Sequence, residues 1–252
     1  MMHTFPGSNV SMNLTDVLTQ RYSVRDFSAK AVSDEVVDNL LAKALASPSW
    51  SNTQPYRVAV ANGDLRARLA AAYTAKYASI KRIQRKPRWQ QALLGTLQRS
   101  LPDGDFRPVH HYPPELHRRR AETGYGLYGH LGIERTDHDA RDRQMARNFE
   151  FFGAPVVLFV FVHEGLGVYS ALDAGIFLQS LMLAATDEGL GTCAQGALAM
   201  WRSPLDAEFN IPPHYKFICG LALGYPTDHA VNSFKPGRRS VAEIKVACKS
   251  RF

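Results

Sequence analysis

A mixed α-and-β domain is what this sequence predicts, and three observations predict it. Two long segments, 33–47 and 170–191, carry apolar residues at helical spacing. Three shorter runs have the length of strands: "YRVAVA" at 56–61, "APVVLFVFV" at 154–162 and "FICGLALGY" at 217–225, the last two apolar enough to be buried on both faces. The chain has 252 residues, 45% hydrophobic and 10% aromatic, which is enough for a real core and unlike a disordered composition. Such a length is within reach of one large domain or two small ones.

Taken in order, residues 13–21 read as a short helix with Leu14, Val17 and Leu18 on one face. In "SDEVVDNLLAKALAS", Ser33 can cap and Asp34 and Glu35 suit the positive helix start. Val36, Val37, Leu40, Leu41, Ala44 and Leu45 make the stripe, and Pro48 stops it. After the strand at 56–61 comes an Asn62-Gly63 turn, then a helix from about Asp64 into the early 80s. Residues 85–140, rich in Arg, His, Pro and Gly, show little periodicity and are read as an excursion with short helices, not a second domain. In 170–191, Ala171, Ala174, Leu178, Leu181, Met182 and Ala185 line one face. Phe177 and Leu183 widen it into a central, largely buried helix, and Gly175 would admit a close neighbour. The tail from about 231 to 252 has little pattern and fits a segment that wraps over a neighbour.

Composition narrows the function classes. No run of 18 apolar residues argues for a membrane span, and the N-terminus lacks the basic-then-apolar order of a secretory signal. Cys193, Cys219 and Cys248 lie far apart, as reduced thiols of a cytoplasmic protein would. Thirty basic against 23 acidic side chains give +7, concentrated in "KRIQRKPR" at 81–88 and "HRRR" at 117–120. A solvated basic face accounts for these better than nucleic-acid binding, for which no motif is present.

Two motif matches fail on context. "GYGLYG" places Gly124, Gly126 and Gly129 in dinucleotide-fingerprint spacing, but "HRRRAET" before it is no buried strand. His110, His111 and His117 in "HHYPPELH" sit in a proline-broken register, so a surface cluster is favoured and no metal is expected. Four other stretches agree with one another. In "RYSVRDF", an extended backbone would point Arg21, Ser23 and Arg25 the same way, a fork for a phosphate. "SPSWSNTQP" packs Ser49, Ser51, Asn52, Thr53 and Gln54 between a helix and a strand. "GLGTCAQG" offers small residues to a flat ring, and "NSFKPGRRS" offers Lys235, Arg238 and Arg239 for a second grip on a phosphate. Together they describe a phosphorylated, aromatic, polar-edged cofactor such as FMN.

In that order the four stretches resemble the nitroreductase family of FMN-dependent enzymes. "RYSVRDF" is similar to its Arg-x-Ser-x-Arg-x-Phe opening, and "SPSWSNTQPYRV" to its Pro-Ser-x-x-Asn-x-Gln-Pro-aromatic turn. "GLGTCAQ" and "GLALGYP…NSFKPGRR" resemble its C-terminal half, and the block 124–156 resembles the nitrobenzoate-reductase-like subgroup. The resemblance covers roughly 12–245. It implies an α+β three-layer sandwich, a mainly antiparallel central sheet flanked by helices, as one domain over 1–252 with an insertion at about 85–140 and a C-terminal extension from about 231. It implies an intertwined homodimer with FMN at the interface and NADPH or NADH as donor. By it, Arg21, Ser23 and Arg25 would hold FMN through its phosphate, ribityl chain and pyrimidine edge. Pro48, Ser49, Asn52 and Gln54 would reach the flavin from the partner subunit. The backbone at Ala194, Gln195 and Gly196 would lie against the ring, and Arg238 and Lys235 would bind the phosphate. The subgroup usually has proline where this chain has Ala194, which frees one N–H and loosens the turn.

The implied activity is ping-pong reduction of nitroaromatics to nitroso and hydroxylamine products. The flavin carries the chemistry and no protein residue is assigned a catalytic role. Arg118, Arg119 and Arg120, within the Arg- and His-rich 107–120, are the expected substrate wall. The same scaffold would serve quinones, enones or halogenated aromatics, or flavin fragmentation. From other classes, a non-catalytic flavin-binding protein and a basic nucleic-acid-associated protein are the competing readings, with the flavoenzyme ahead of both.

Overall fold

The computed structural model describes residues 12–87, 89–91, 94, 101–107, 109 and 111–249. Helices α1 (Leu14–Gln20) and α2 (Asp34–Ala44) lead into strand β1 (Tyr56–Ala61) and helix α3 (Gly63–Gln84). Helices α4 (Pro114–His130) and α5 (His138–Ala146) precede strand β2 (Val156–His163) and helix α6 (Val168–Asp187). Strand β3 (Gly191–Gln195), helix α7 (Ser203–Asp206), strand β4 (Tyr215–Gly224) and helix α8 (Val241–Ile244) complete the order.

Four strands form one sheet in the order β1-β2-β4-β3, every neighbouring pair antiparallel. The apolar run at β2 is central, and alternation divides it between two cores. Val156, Leu158, Val160 and Val162 face α2 and α6, packing on Leu40, Ala44, Phe177 and Leu181. Val157, Phe159 and Phe161 face α3 and α7, in an aromatic layer with Tyr73, Phe151, Trp201 and Phe217. Leu158, Phe159 and Val160 are fully buried, each contributing about 1.5–3 kcal/mol. Helices thus cover both faces of an antiparallel sheet, the expected α+β sandwich.

Local chemistry explains most boundaries. The Ser33 side chain accepts from the Val36 N–H and caps α2, worth about 1 kcal/mol. The central helix α6 stops at Asp187, short of the expected 191. Gly189 adopts φ +71°, while the Gly189 and Leu190 N–H groups bond back to Thr186 and Ala185 at 3.0 and 2.8 Å. That double bond is a Schellman stop, which needs a left-handed residue that glycine supplies. Of the residues read as a continuation of the helix, 188–190 form the turn and only Gly191 opens strand β3. Helix α6 has the length and apolar composition of a membrane span, but its packing against α2, β2 and β3 makes it a core helix.

The middle segment differs from the expectation of short helices. Helix α4 runs 17 residues, starting at Pro114, where a missing N–H costs nothing. None of its side chains is buried, so it lacks the periodicity that betrays a core helix. Gly124, Gly126 and Gly129 all lie inside it, so no strand-turn-helix fingerprint exists there. Two of the cations of 81–87 are paired. Lys81 pairs with Asp142 at 2.7 Å and Arg85 with Asp139 at 2.8 Å, both acids on α5; Arg88 and His110 lie outside the described residues. On α1, Val17 is buried while Leu14 and Leu18 remain 68% and 50% exposed, so the expected apolar face is divided.

Candidate functional site

Residues 23–24 lie along the free edge of β3, and 27–28 continue beside Tyr225 and Pro226, just after β4. Helix α1 ends at Arg21, whose backbone turns extended. Ser23 bridges Thr192 in parallel and the Val24 N–H donates to the Thr192 carbonyl at 2.9 Å. Val24 is buried against Gly191, where an added Cβ would sit 2.5 Å from Val24 Cγ2. Arg21 and Arg25 both lie near enough to Cys193 to act on its thiol, so the two cations of the heptapeptide stand by the same stretch of β3.

Long-range bonds hold this fork. The buried Asn232 amide accepts from the Arg25 N–H at 2.8 Å and donates to the carbonyls of Asp26 and Thr227 at 2.8 and 3.0 Å. The Asp26 carboxylate accepts from Arg147 at 2.6 Å and from the Thr227 hydroxyl. Burial alone would raise this carboxyl, but the bonds from Thr227 and Arg147 outweigh it and hold Asp26 below its ordinary value. A depressed carboxyl stabilises the fold above its unfolded value near 3.8, and that stability is lost as pH falls through the lower folded value. Asp26→Asn is therefore expected to lower the melting temperature at pH 7 and to flatten its decline below pH 4.

The C-terminal segment brings in two more cations. His130 on α4 contacts the Ala230 carbonyl and Ser233 hydroxyl, each at 2.8 Å. The Phe234 ring lies against Gly126, where a Cβ would meet it at 3.1 Å. The close approach gives this mid-helix glycine its reason. Lys235 then stands 5.8 Å from the Tyr22 ring, and Arg238 is near enough to act on Arg21. The Arg21 guanidinium is lowered from its ordinary value by burial first and by Arg238 second. Among the described residues, no carboxylate lies within ion-pair distance of Arg21, Arg25, Lys235 or Arg238. A half-buried guanidinium facing another without a counter-anion is unfavourable by itself, and it is the donor set a phosphate satisfies.

The loop 48–54 is held differently. Ser51, Asn52 and Gln54 all have positive φ, between 46° and 54°, a region that costs non-glycine residues about 1–3 kcal/mol each. The Ser49 hydroxyl accepts from the Gln54 N–H at 3.0 Å, and the Gln54 amide donates to Asn52 at 3.2 Å. The buried Asp173 on α6 accepts from the Trp50 N–H at 3.0 Å. Pro48, Asn52 and Gln54 stay exposed. This loop does not meet the Arg21 fork within one chain. It is tied to the first turns of α6, whereas Thr192 follows its far end, and the stretch Asp173–Asp187 alone spans roughly 21 Å.

At β3, Ala194 is exposed between buried neighbours. The Gln195 side chain turns inward and donates to the Asn148 carbonyl at 2.8 Å, so only its backbone faces the edge. Cys193 is buried, which pushes its thiol up to about 11 despite nearby Arg25 and Arg21; it is a packing residue. Gly196 opens onto a cavity of 430 Å³ walled by Phe106, Arg107, Val109, Tyr112 and Met145.

Arg118, Arg119 and Arg120 do not form one wall. Successive residues on a helix point about 100° apart. Arg118 pairs with Glu122 at 3.7 Å and shares a recess with Arg119, which also lines a cavity with Lys235 and Arg238, while Arg120 lies apart, 5.1 Å from the Tyr112 ring. Sequence reasoning passed over Asn232, Asp173, Phe106 and Tyr112. An amide inside a cationic tail and an acid inside an apolar helix were signals for the first two; the aromatics carried none.

Residues 18–225 match the Nitroreductase family model. The chain is 33% identical over 227 residues to the 4-nitrobenzoate reductase of Pseudomonas putida, covering 88% of this chain and 89% of that one. It is 31% identical over 237 residues to the nitrobenzene nitroreductase of Ectopseudomonas oleovorans, covering 92% and 93%. Among solved structures, the FMN-dependent nitroreductase NfnB from Mycobacterium smegmatis in complex with NADPH superposes with a TM-score of 0.79 at 29% identity, over 93% of this chain and 97% of that one. The fringe of cations along β3, the sandwich that carries it and these likenesses agree: this chain belongs to the nitroreductase family.

Proposed function

We propose that the protein is an FMN-dependent NAD(P)H oxidoreductase that reduces nitroaromatic compounds. The observation that carries this is the gathering of Arg21, Lys235 and Arg238, without carboxylate partners among the described residues, beside the exposed Ala194 edge of β3. Those three cations take the FMN phosphate. Ser23 and Arg25 take the ribityl chain and the pyrimidine edge, and the backbone from Ala194 to Gly196 lies along the ring. Bound flavin supplies two-electron redox chemistry. The protein's part is to position it and to shape the space over it. The cavity at Gly196, with Phe106 and Tyr112 as aromatic walls and Arg107 as a cation, suits a flat acceptor such as a nitrobenzoate. Donor and acceptor occupy that space in turn, which gives ping-pong kinetics with nitroso and hydroxylamine products.

The separated loop 48–54 completes the site from a second copy. Exposed Val168 and Leu172 on α6, at 74% and 56%, join Leu14 and Leu18 of α1 and Trp50 as an apolar surface suited to a homodimer seam. Light scattering should give twice the chain mass, and Leu172→Glu should reduce it to the chain mass with loss of bound flavin. Three free thiols fit a reducing cytoplasm.

The direct test is the visible spectrum of the purified protein. A bound-flavin spectrum that bleaches with anaerobic NADPH or NADH and returns on adding a nitroaromatic is the expected result. A colourless protein that takes up no FMN overturns the reading.

A further inference from the structure

Residues 103–107 enter the cavity beside Gly196 from a fixed anchor. The Asp103 and Gly104 N–H groups both donate to the Met200 carbonyl at 3.1 Å, and the Asp103 carboxylate accepts from the Arg202 N–H at 2.7 Å. A Cβ at Gly104 would collide with the Ala199 carbonyl, so the backbone lies flat on 199–200 where only glycine fits. Asp105 is tied in turn to the Phe217 N–H and to Arg202. Phe106 and Arg107 therefore wall the 430 Å³ cavity from a segment that is set in place before any ligand arrives.

Charge around that cavity is one-sided. Arg107 is the single charged residue among the described residues that line it, beside Phe106, Val109, Tyr112, Met145 and Gly196. Among the described residues, no carboxylate lies within ion-pair distance of Arg107. The acids nearest to it in the chain are engaged elsewhere: Asp105 by Arg202 at 2.8 Å and Lys216 at 3.9 Å, and Asp103 by Lys76 at 3.3 Å. Arg120, 5.1 Å from the Tyr112 ring, lines a different recess. Apolar and aromatic walls with one guanidinium fit a flat anion. The ring packs on the walls, and a carboxylate takes two parallel N–H donors. A neutral ring of the same shape gains the first contact and not the second. We propose that Arg107 is the specificity-determining contact of the acceptor site, and that it makes the protein select carboxylate-bearing nitroaromatics over neutral ones. The assignment rests on the flavoenzyme reading above and narrows its acceptor to one charge class.

The experiment compares 4-nitrobenzoate with 4-nitrobenzamide, which has nearly the same shape and no charge. Wild type, Arg107→Gln, Arg107→Lys and Arg82→Gln are assayed with FMN in excess. Arg82 is an exposed cation of α3 and controls for net charge. The two nitro groups differ in intrinsic reactivity, so the readout is the ratio of the two kcat/KM values, compared between wild type and variant. Calorimetry with benzoate and benzamide measures the same selection without turnover. Arg107→Gln is expected to lower the ratio about tenfold by raising the nitrobenzoate KM, with nitrobenzamide rates within about twofold. It should also bring benzoate binding down to that of benzamide. Arg107→Lys should keep part of the preference and Arg82→Gln all of it. A ratio unchanged in Arg107→Gln overturns the proposal while the flavoenzyme reading stands. An equal fall for both acceptors overturns it too, because Arg107 would then shape the cavity without reading charge. A fall of the same size in Arg82→Gln overturns it in favour of net charge. If wild type binds benzoate through Arg107 but reduces no nitroaromatic, the flavoenzyme reading fails while the carboxylate site stands.

Discussion

Replacing Arg21 with alanine is expected to weaken FMN binding about a hundredfold while leaving the apoprotein no less stable. The guanidinium is half-buried, lacks a carboxylate partner among the described residues, and is disfavoured by burial and by Arg238. Its removal relieves that cost, so the apoprotein melting temperature holds or rises slightly. With FMN present the sign reverses. A bidentate guanidinium–phosphate contact is worth about 3 kcal/mol, which is roughly a hundredfold in Kd. At fixed excess FMN the ligand-induced stabilisation falls by about 2.7 kcal/mol. Titrating FMN against apoprotein fluorescence, with melts at several FMN concentrations, checks both halves. A variant that binds FMN as wild type does would remove Arg21 from the phosphate site. A variant whose apoprotein melts much earlier would make the residue structural.

Replacing Asp105 with alanine is expected to cost about 2–3 kcal/mol of stability. Its carboxylate accepts from Arg202 at 2.8 Å and from the Phe217 N–H at 2.7 Å, with the side chains of the pair only 18% and 10% exposed. Alanine leaves the Phe217 N–H without its acceptor and Arg202 with one charge partner fewer, although Asp206 at 3.0 Å and the Tyr215 carbonyl at 2.7 Å still hold it. For a chain of this size the loss corresponds to a fall in melting temperature on the order of 10 °C. Asp105 also ties the excursion to β4, immediately before the cavity wall at Phe106 and Arg107. The nitroaromatic KM should therefore rise alongside the loss of stability. Asp105→Asn keeps an acceptor for the Phe217 N–H and should lose less. A melt equal to wild type would mean that Asp105 does not anchor the excursion.

These two residues differ in how visible they were. Arg21 stands in a heptapeptide whose alternation is local, so an extended backbone alone brings Arg21, Ser23 and Arg25 to one side. Asp105 sits in a stretch without periodicity, and its partners are 97 and 112 residues away. The same contrast runs through the fold. Helices at 34–44 and 63–84 were legible because apolar residues recur along them at the helical period, and the central strand at 156–163 because it is a continuous apolar run buried on both faces. Strand β3 was not, because its small residues carry no period and its partner lies elsewhere. The stop before it is set by the φ of Gly189.

By itself, then, the sequence determined the helices and strands with a buried face, the cationic fork at 21–25, and the polar turn at 48–54. It also determined the pool of cations in the tail. Each is a property of neighbours along the chain, set by side-chain period and backbone preference. Only the tertiary structure decided which of them meet. It laid the fork on β3 and joined it to the tail through Asn232, 207 residues from Arg25. It parted Arg120 from Arg118 and Arg119, and it left the 48–54 turn at the other end of α6. Those outcomes depend on packing and on hydrogen bonds between distant segments, and no local pattern encodes them.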